Sequence, residues 1–159
     1  MDDMPDCGLF RTGVTLAGHE KEVPANILVS FHNHSDQGTA MVQLPHQNEH
    51  NVWSFHNRGW GIKDPEFIRA MIALKPQGVY VISGHHLHVS EEKTIPENTL
   101  VQLGYNRAGD SIIFVGSQHQ NSIVFPETGY RFENPDVQKF LKRLTLSKLA
   151  SSSQDKTLH

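Results

Sequence analysis

The feature that most constrains the fold of this chain is an internal repeat. Residues 8–75 and 78–147 align as two copies of one unit of about 70 residues. The segment VPANILV at 23–29 returns as IPENTLV at 95–101, and a 17-residue segment starting at Asn51 returns at Asn121. Because a unit of this size buries too little surface to be stable alone, we expect the copies to pack as one compact, pseudo-twofold body. The identical pairs are Pro24/Pro96, Asn26/Asn98, Leu28/Leu100, Val29/Val101, Asn51/Asn121, Phe55/Phe125, Gly59/Gly129 and Pro65/Pro135.

Each copy is predicted to be mainly β, with about five strands and one C-terminal helix. Short β-rich runs separated by Gly, Pro, Asn and Asp indicate strands joined by turns. One hairpin is expected within 27–44. A second is expected to fold back across residues 56–59 in the first copy and 126–129 in the second. The fold class is therefore a mainly β, duplicated body of small-barrel or sandwich type, and an SH3-like barrel pair and a continuous sheet both stay open.

Two matching tripeptides predict where the helices begin. Asp64-Pro65-Glu66 and Asn134-Pro135-Asp136 each place a capping side chain before a proline and an acidic residue. Such a cap accepts hydrogen bonds from free amides, and proline fits the first helical position. Apolar residues at helical spacing then extend the predicted helices to Leu74 and Leu144. The polar tail at 148–159 is predicted to be disordered.

Composition excludes several classes of partner. The formal net charge is −3, which disfavours nucleic acid as a bulk electrostatic partner. The acidic N-terminus lacks the apolar run of a signal peptide, and no stretch approaches the ~20 apolar residues of a membrane span. A single cysteine, Cys7, cannot form an internal disulfide and fits a reducing compartment. We therefore expect a soluble, cytoplasmic protein with no nucleic-acid partner and no membrane association.

The chain is rich in histidine, with 11 residues of this type. The densest histidine cluster, His85, His86 and His88, lies in the second copy. When Leu16 is aligned with Leu87, no histidine of the first copy falls opposite this cluster. The common scaffold therefore does not require that cluster, which makes its members candidates for a function specific to one copy. The clusters are His32 with His34, His46 with His50, and His85, His86 and His88.

A metal site is one interpretation of these histidines, because imidazole is a common metal ligand. His86 and His88 would share one face of a strand, and Glu92 follows at a spacing that resembles the first half of the cupin metal motif. The flanking glycines and the second motif of that family are missing. His32, His34 or His119 could complete the site. His46 and His50 would chelate a metal only on a helix, and Pro45 favours a loop there.

The sequence is compatible with two functions, a binding module and a metal-dependent enzyme. It identifies no catalytic residue for either. No complete catalytic signature is present, so we favour a non-enzymatic binding module without a cofactor, whose partner is a protein or a small molecule. The alternative is a metal-dependent enzyme, in which His86, His88 and Glu92 hold Zn²⁺, Fe²⁺ or Mn²⁺. In the favoured interpretation, loops that differ between the copies form the site, and the predicted contacts are His32, Asn33, His34, Tyr105, Asn106 and Arg107.

Overall fold

The computed structural model describes residues 4–33, 38–145 and 147, and its fold is mainly β, as predicted. The predicted disordered tail at 148–159 lies outside the described residues. The first half of the chain forms a five-stranded antiparallel sheet from Gly8–Arg11 (β1), Leu28–His32 (β2), Met41–Glu49 (β3), Val52–Gly61 (β4) and Ile72–Leu74 (β5). These strands pair in the order β4-β3-β2-β1-β5.

The second half forms another five-stranded antiparallel sheet and two short two-stranded ribbons. Its strands are Gly78–Ile82 (β6), Leu87–His88 (β7), Thr94–Ile95 (β8), Leu100–Tyr105 (β9), Ser111–Val115 (β10), Ser117–His119 (β11), Ser122–Val124 (β12), Tyr130–Phe132 (β13) and Leu141–Arg143 (β14). The large sheet has the order β13-β10-β9-β6-β14, and the ribbons pair β7 with β8 and β11 with β12. Among the described residues neither large sheet closes on itself. The expected small barrel is therefore not present as a closed barrel in this part of the chain.

Both helices begin where the capping tripeptides predict, but they end early. The α-helix α1 spans Pro65–Ala70, and Asp64 caps it by accepting the Glu66 amide at 2.9 Å. A 3₁₀-helix spans Pro135–Phe140, and Asn134 caps it in the same way. The predicted continuation to Leu74 and Leu144 is wrong. The chain turns extended immediately after each helix, because β5 and β14 pair with β1 and β6 at the sheet edge.

The predicted second hairpin is also wrong in both halves. β4 continues through residues 56–59 and pairs with β3, so the predicted loop at 45–50 is largely strand. His50 and Asn51 make the turn between β3 and β4, both with positive φ (52° and 68°), as two-residue hairpin turns of type I′ require. In the second half, β12 pairs with β11 and not with β13. The pairing of β4 with β3 across the His50-Asn51 turn prevails over the turn signal at Gly59.

A buried polar network joins the two sheets near the connection at Lys75. The Gln138 side chain donates to the Tyr105 hydroxyl at 2.9 Å and to Ser111 Oγ at 3.0 Å. It also accepts the Lys75 amide at 2.8 Å, and the Tyr105 hydroxyl donates to the Lys75 carbonyl at 2.5 Å. Leu28 and Leu74 of the first sheet pack into the core of the second. The first half also has a core cluster of its own, which includes Phe31 and Phe67, so each half has its own core and the two halves meet at these leucines.

Neither helix in the described part of the chain has the length and apolar composition needed to cross a membrane.

Candidate functional site

A cleft of about 510 Å³ lies where the two sheets meet. The β3–β4 turn forms one wall, and the segment after β12 forms the other. Gln102 of β9 lies at the base with 9% of its surface exposed. The lining mixes amide side chains with apolar ones, which suits a ligand that has both polar and apolar groups. The lining residues are Asn48, His50, Asn51, Gln102, Val124, Phe125, Pro126 and Glu127.

Hydrogen bonds across the cleft base hold its two walls together. Asn51 Nδ2 donates to Gln102 Oε1 and to the Pro126 carbonyl, both at 2.9 Å. Gln102 Nε2 in turn donates to the His50 carbonyl at 3.0 Å. The turn approaches β9 closely at Gly104, where an added Cβ would lie 2.8 Å from the Asn51 carbonyl oxygen. The cleft is therefore a preformed feature of the joint, with its geometry set by interlocked amides.

Trp53 and Arg107 brace the outer side of the same joint. The Trp53 indole donates to the Tyr105 carbonyl at 2.6 Å, and the Arg107 guanidinium lies 4.9 Å from the Trp53 ring centroid. Arg107 also donates to the Pro45 carbonyl at 3.4 Å, and its own carbonyl accepts the Leu28 amide at 2.8 Å. Arg107, predicted to contact a partner, thus contacts the other half of its own chain.

Tyr105 and Asn106, two further predicted contacts, also have structural roles. Tyr105 is 2% exposed, and burial raises the pKa of its hydroxyl, although the hydrogen bond from Gln138 acts in the opposite direction. Asn106 forms the turn after β9 by accepting the Asp110 amide and donating to the Asp110 carboxylate. The Tyr105 side chain is therefore core, and burial makes it unavailable to a partner.

The remaining predicted contacts lie at the far end of β2. His32 shares its Nε2 with Ser30 Oγ at 3.2 Å and Gln43 Oε1 at 2.8 Å. Asn33 is bonded to the N-terminal segment through Pro5 and Cys7. The Arg107 carbonyl accepts the Leu28 amide at the other end of β2. Leu28 is four residues before His32, so the two ends of the strand are roughly 13 Å apart at ~3.3 Å per residue. The structure does not bring the two predicted groups into one site, and His34 lies outside the described residues.

Of the three predicted metal ligands, His86 and His88 line one cavity and Glu92 does not. His86 Nδ1 accepts the Glu97 amide at 3.0 Å, and His88 Nδ1 lies 3.0 Å from Thr94 Oγ1. Both line an open cavity of about 510 Å³ from which Glu92 is absent. Among residues 4–33, 38–145 and 147, no three or more His, Cys, Asp or Glu side chains are grouped to hold a metal ion. The His86–His88–Glu92 set is thus not assembled, because Glu92 lies in the loop between β7 and β8.

The cleft residues were missed by sequence reasoning. Asn51 drew attention only as a position identical in the two copies, and Gln102 carried no signal. The one local clue was the His50-Asn51 pair, since asparagine tolerates positive φ and favours a tight hairpin. A hairpin at that point would have extended β3 and β4 and directed their tip toward the second half of the chain.

Comparison of the chain with protein-family models, with curated proteins and with solved structures finds no match.

Proposed function

We propose that this protein is a non-enzymatic binding module, whose partner is a protein segment seated in the cleft and on the adjoining β11–β12 hairpin. The observation that carries the proposal is an exposed apolar edge beside a polar cleft. Ile123 is 60% exposed and Val124 is 45% exposed, although both are strand residues. Val124 also lines the cleft. Adjacent apolar surface with a polar rim is the usual composition of a protein interface.

The scaffold, we infer, is a duplicated unit, and matched strand positions support this. In the first large sheet, β1 lies between β2 and β5, which are the second and last strands of that sheet in chain order. In the second large sheet, β6 lies between β9 and β14, which are likewise its second and last strands in chain order. Asn26 and Asn98 both have positive φ, 61° and 69°. Their amides donate to equivalent carbonyls, those of Thr12 at 2.8 Å and Ile82 at 2.7 Å.

The two halves use their equivalent hairpins differently. In the first half, the β3–β4 hairpin docks on β9, and Trp53 packs against the core of the second sheet. In the repeat alignment, Ile123 occupies the position of Trp53. The β11–β12 hairpin is exposed along its whole length. A hairpin that docks on the other half through Trp53 in one copy is therefore free for an external partner in the other.

The chemistry of the cleft favours a peptide main chain. Its volume of about 510 Å³ falls within the roughly 300–1,000 Å³ of ligand pockets. The Asn48 side-chain amide can donate to and accept from peptide groups. Asn51 can only accept, through its Oδ1, because its Nδ2 already donates to Gln102 and Pro126. Beside them, Phe125, Pro126 and Val124 offer an apolar seat for a partner side chain. An extended segment could lie along the hairpin with its polar groups directed into the cleft.

The test begins with a photo-crosslinking amino acid at Glu127 on the cleft rim, with the same group at Val14 as the matched control. Val14 is 42% exposed and lies in the first half, outside the cleft. A partner captured at the first position only is purified and titrated against Ile123→Ser, Asn48→Ala and Val14→Ser. Interface anchors contribute more than about 1 kcal/mol each, so we expect Ile123→Ser to raise Kd at least about fivefold and Val14→Ser to leave it unchanged. Equal Kd values in all three variants would refute this site.

A further inference from the structure

Two histidine rings from neighbouring strands face each other on the β3–β4 hairpin. The ring centroids of His46 and His56 are 4.4 Å apart, and the ring planes are inclined at 54°. Both residues are exposed. Within the described part of the chain, neither ring has a hydrogen-bond partner, whereas His32, His86 and His88 all use a ring nitrogen internally. The nitrogen lone pairs of this pair are therefore available to a ligand.

An irregularity in strand pairing brings the two rings together. Pro45 pairs with Phe55, but Gln47 pairs with Ser54, so His46 is an extra residue on β3 without a partner on β4. Such a bulge redirects a side chain, and bulges are common beside functional sites. His56 lies in a second irregularity, since residues 56–58 of β4 have no partner among the described residues of β3, between the pairs Pro45–Phe55 and Gln43–Gly59. Both imidazoles therefore come from unpaired positions of the ribbon.

The spacing of the rings matches two ligands of one metal ion. A nitrogen binds a metal at ~2.0 Å, and the ring centroid lies roughly 1.2 Å behind that nitrogen, about 3.2 Å from the metal. Two such centroids at a 90° ligand angle are then about 4.5 Å apart, close to the 4.4 Å observed here. Right angles between nitrogen ligands are typical of the tetragonal geometry of Cu²⁺ and Ni²⁺.

We propose that His46 and His56 form a two-imidazole surface site for a divalent transition metal, with Cu²⁺ bound most tightly. Cu²⁺ heads the affinity order of the divalent first-row metals for nitrogen ligands. Water fills the remaining positions, which agrees with the finding that no three protein ligands are grouped among the described residues. Neither histidine lines the cleft between the sheets. The metal site therefore stands independently of the proposed partner site.

The experiment is a calorimetric titration of the untagged full chain with Cu²⁺ supplied as its glycine complex at neutral pH. Glycine suppresses weak binding at single histidines and at the terminal amine. The variants are His46→Gln, His56→Gln and the double variant, with His85→Gln/His88→Gln as a control that removes the same number of exposed imidazoles. Circular dichroism verifies the fold of each variant. Electron paramagnetic resonance of the bound Cu²⁺ counts its nitrogen ligands.

The site predicts one saturable Cu²⁺ equivalent with two imidazole nitrogens. Losing either ligand should weaken binding about tenfold or more, since even outer-shell changes have effects of that size. The control variant should bind as the wild type does. Absence of saturable binding, unchanged binding by His46→Gln and His56→Gln, or loss of binding in the His85→Gln/His88→Gln control would each overturn the proposal.

Discussion

The buried amide of Gln138 is expected to hold the two sheets together, and Gln138→Leu tests this. The side chain is 7% exposed. It makes three hydrogen bonds, to Tyr105, Ser111 and the Lys75 amide, at 2.9, 3.0 and 2.8 Å. Leucine keeps a similar volume and removes all three bonds. It therefore separates hydrogen bonding from packing.

The magnitude follows from those bonds. At about 1 kcal/mol each, three bonds contribute about 3 kcal/mol, and leaving the Lys75 amide unpaired adds a penalty of about 1 kcal/mol or more. Burial of the leucine methyl groups returns about 1 kcal/mol. We expect the free energy of unfolding to fall by about 3 kcal/mol. At 2–4 °C per kcal/mol for a chain of this size, Tm should fall by roughly 6–12 °C.

The assay is urea unfolding followed by tryptophan fluorescence, because Trp53 lies at the joint between the sheets. The matched control is Gln118→Leu, since Gln118 is exposed and makes one side-chain bond of 3.3 Å to a neighbouring carbonyl. That variant should change stability by less than about 0.5 kcal/mol. A double-mutant cycle with Tyr105→Phe should give a coupling of about 0.5 kcal/mol or more. If Gln138→Leu and Gln118→Leu are equally stable, the network does not hold the joint and the reasoning fails.

Two further predictions concern the same region. Burial raises the pKa of Tyr105 in the folded state, so its contribution to stability is complete below about pH 10, the ordinary pKa of tyrosine, and is lost as the pH rises further. Above about pH 10, the free energy of unfolding should therefore fall more steeply with pH in the wild type than in Tyr105→Phe. The difference in slope should be up to about 1.4 kcal/mol per pH unit. Equal slopes for the two proteins, measured by urea unfolding at each pH, would contradict this. Gly104→Ala should destabilise the chain by about 1–3 kcal/mol, because its Cβ would lie 2.8 Å from the Asn51 carbonyl oxygen and 2.9 Å from the Phe114 ring. Gly8→Ala, where nothing lies within 4 Å of the new Cβ, is the control, and the same denaturation midpoint for both variants would argue against a close approach at Gly104.

The candidate sites show where reasoning from the sequence is limited. Tyr105 and Arg107 were predicted to contact a partner because they differ between the copies, but they contact Lys75 and Trp53 of their own chain. The His46–His56 pair went unnoticed because its members are ten positions apart and meet only through the pairing of β3 with β4. Spacing along the chain identifies neighbours on one strand or helix. It does not identify neighbours across a ribbon.

The sequence by itself determined the local features of this protein. Short β-rich runs separated by turn residues determined the mainly β character, and the caps Asp64 and Asn134 determined where the helices begin, because each signal acts within a few residues. Tertiary structure alone decided that the helices end after six residues, that β4 extends through residues 56–59 with a shift of register, and that Asn51 meets Gln102. Those outcomes depend on hydrogen bonds and burial between segments far apart in the chain. Such interactions prevail over local propensity wherever the two compete.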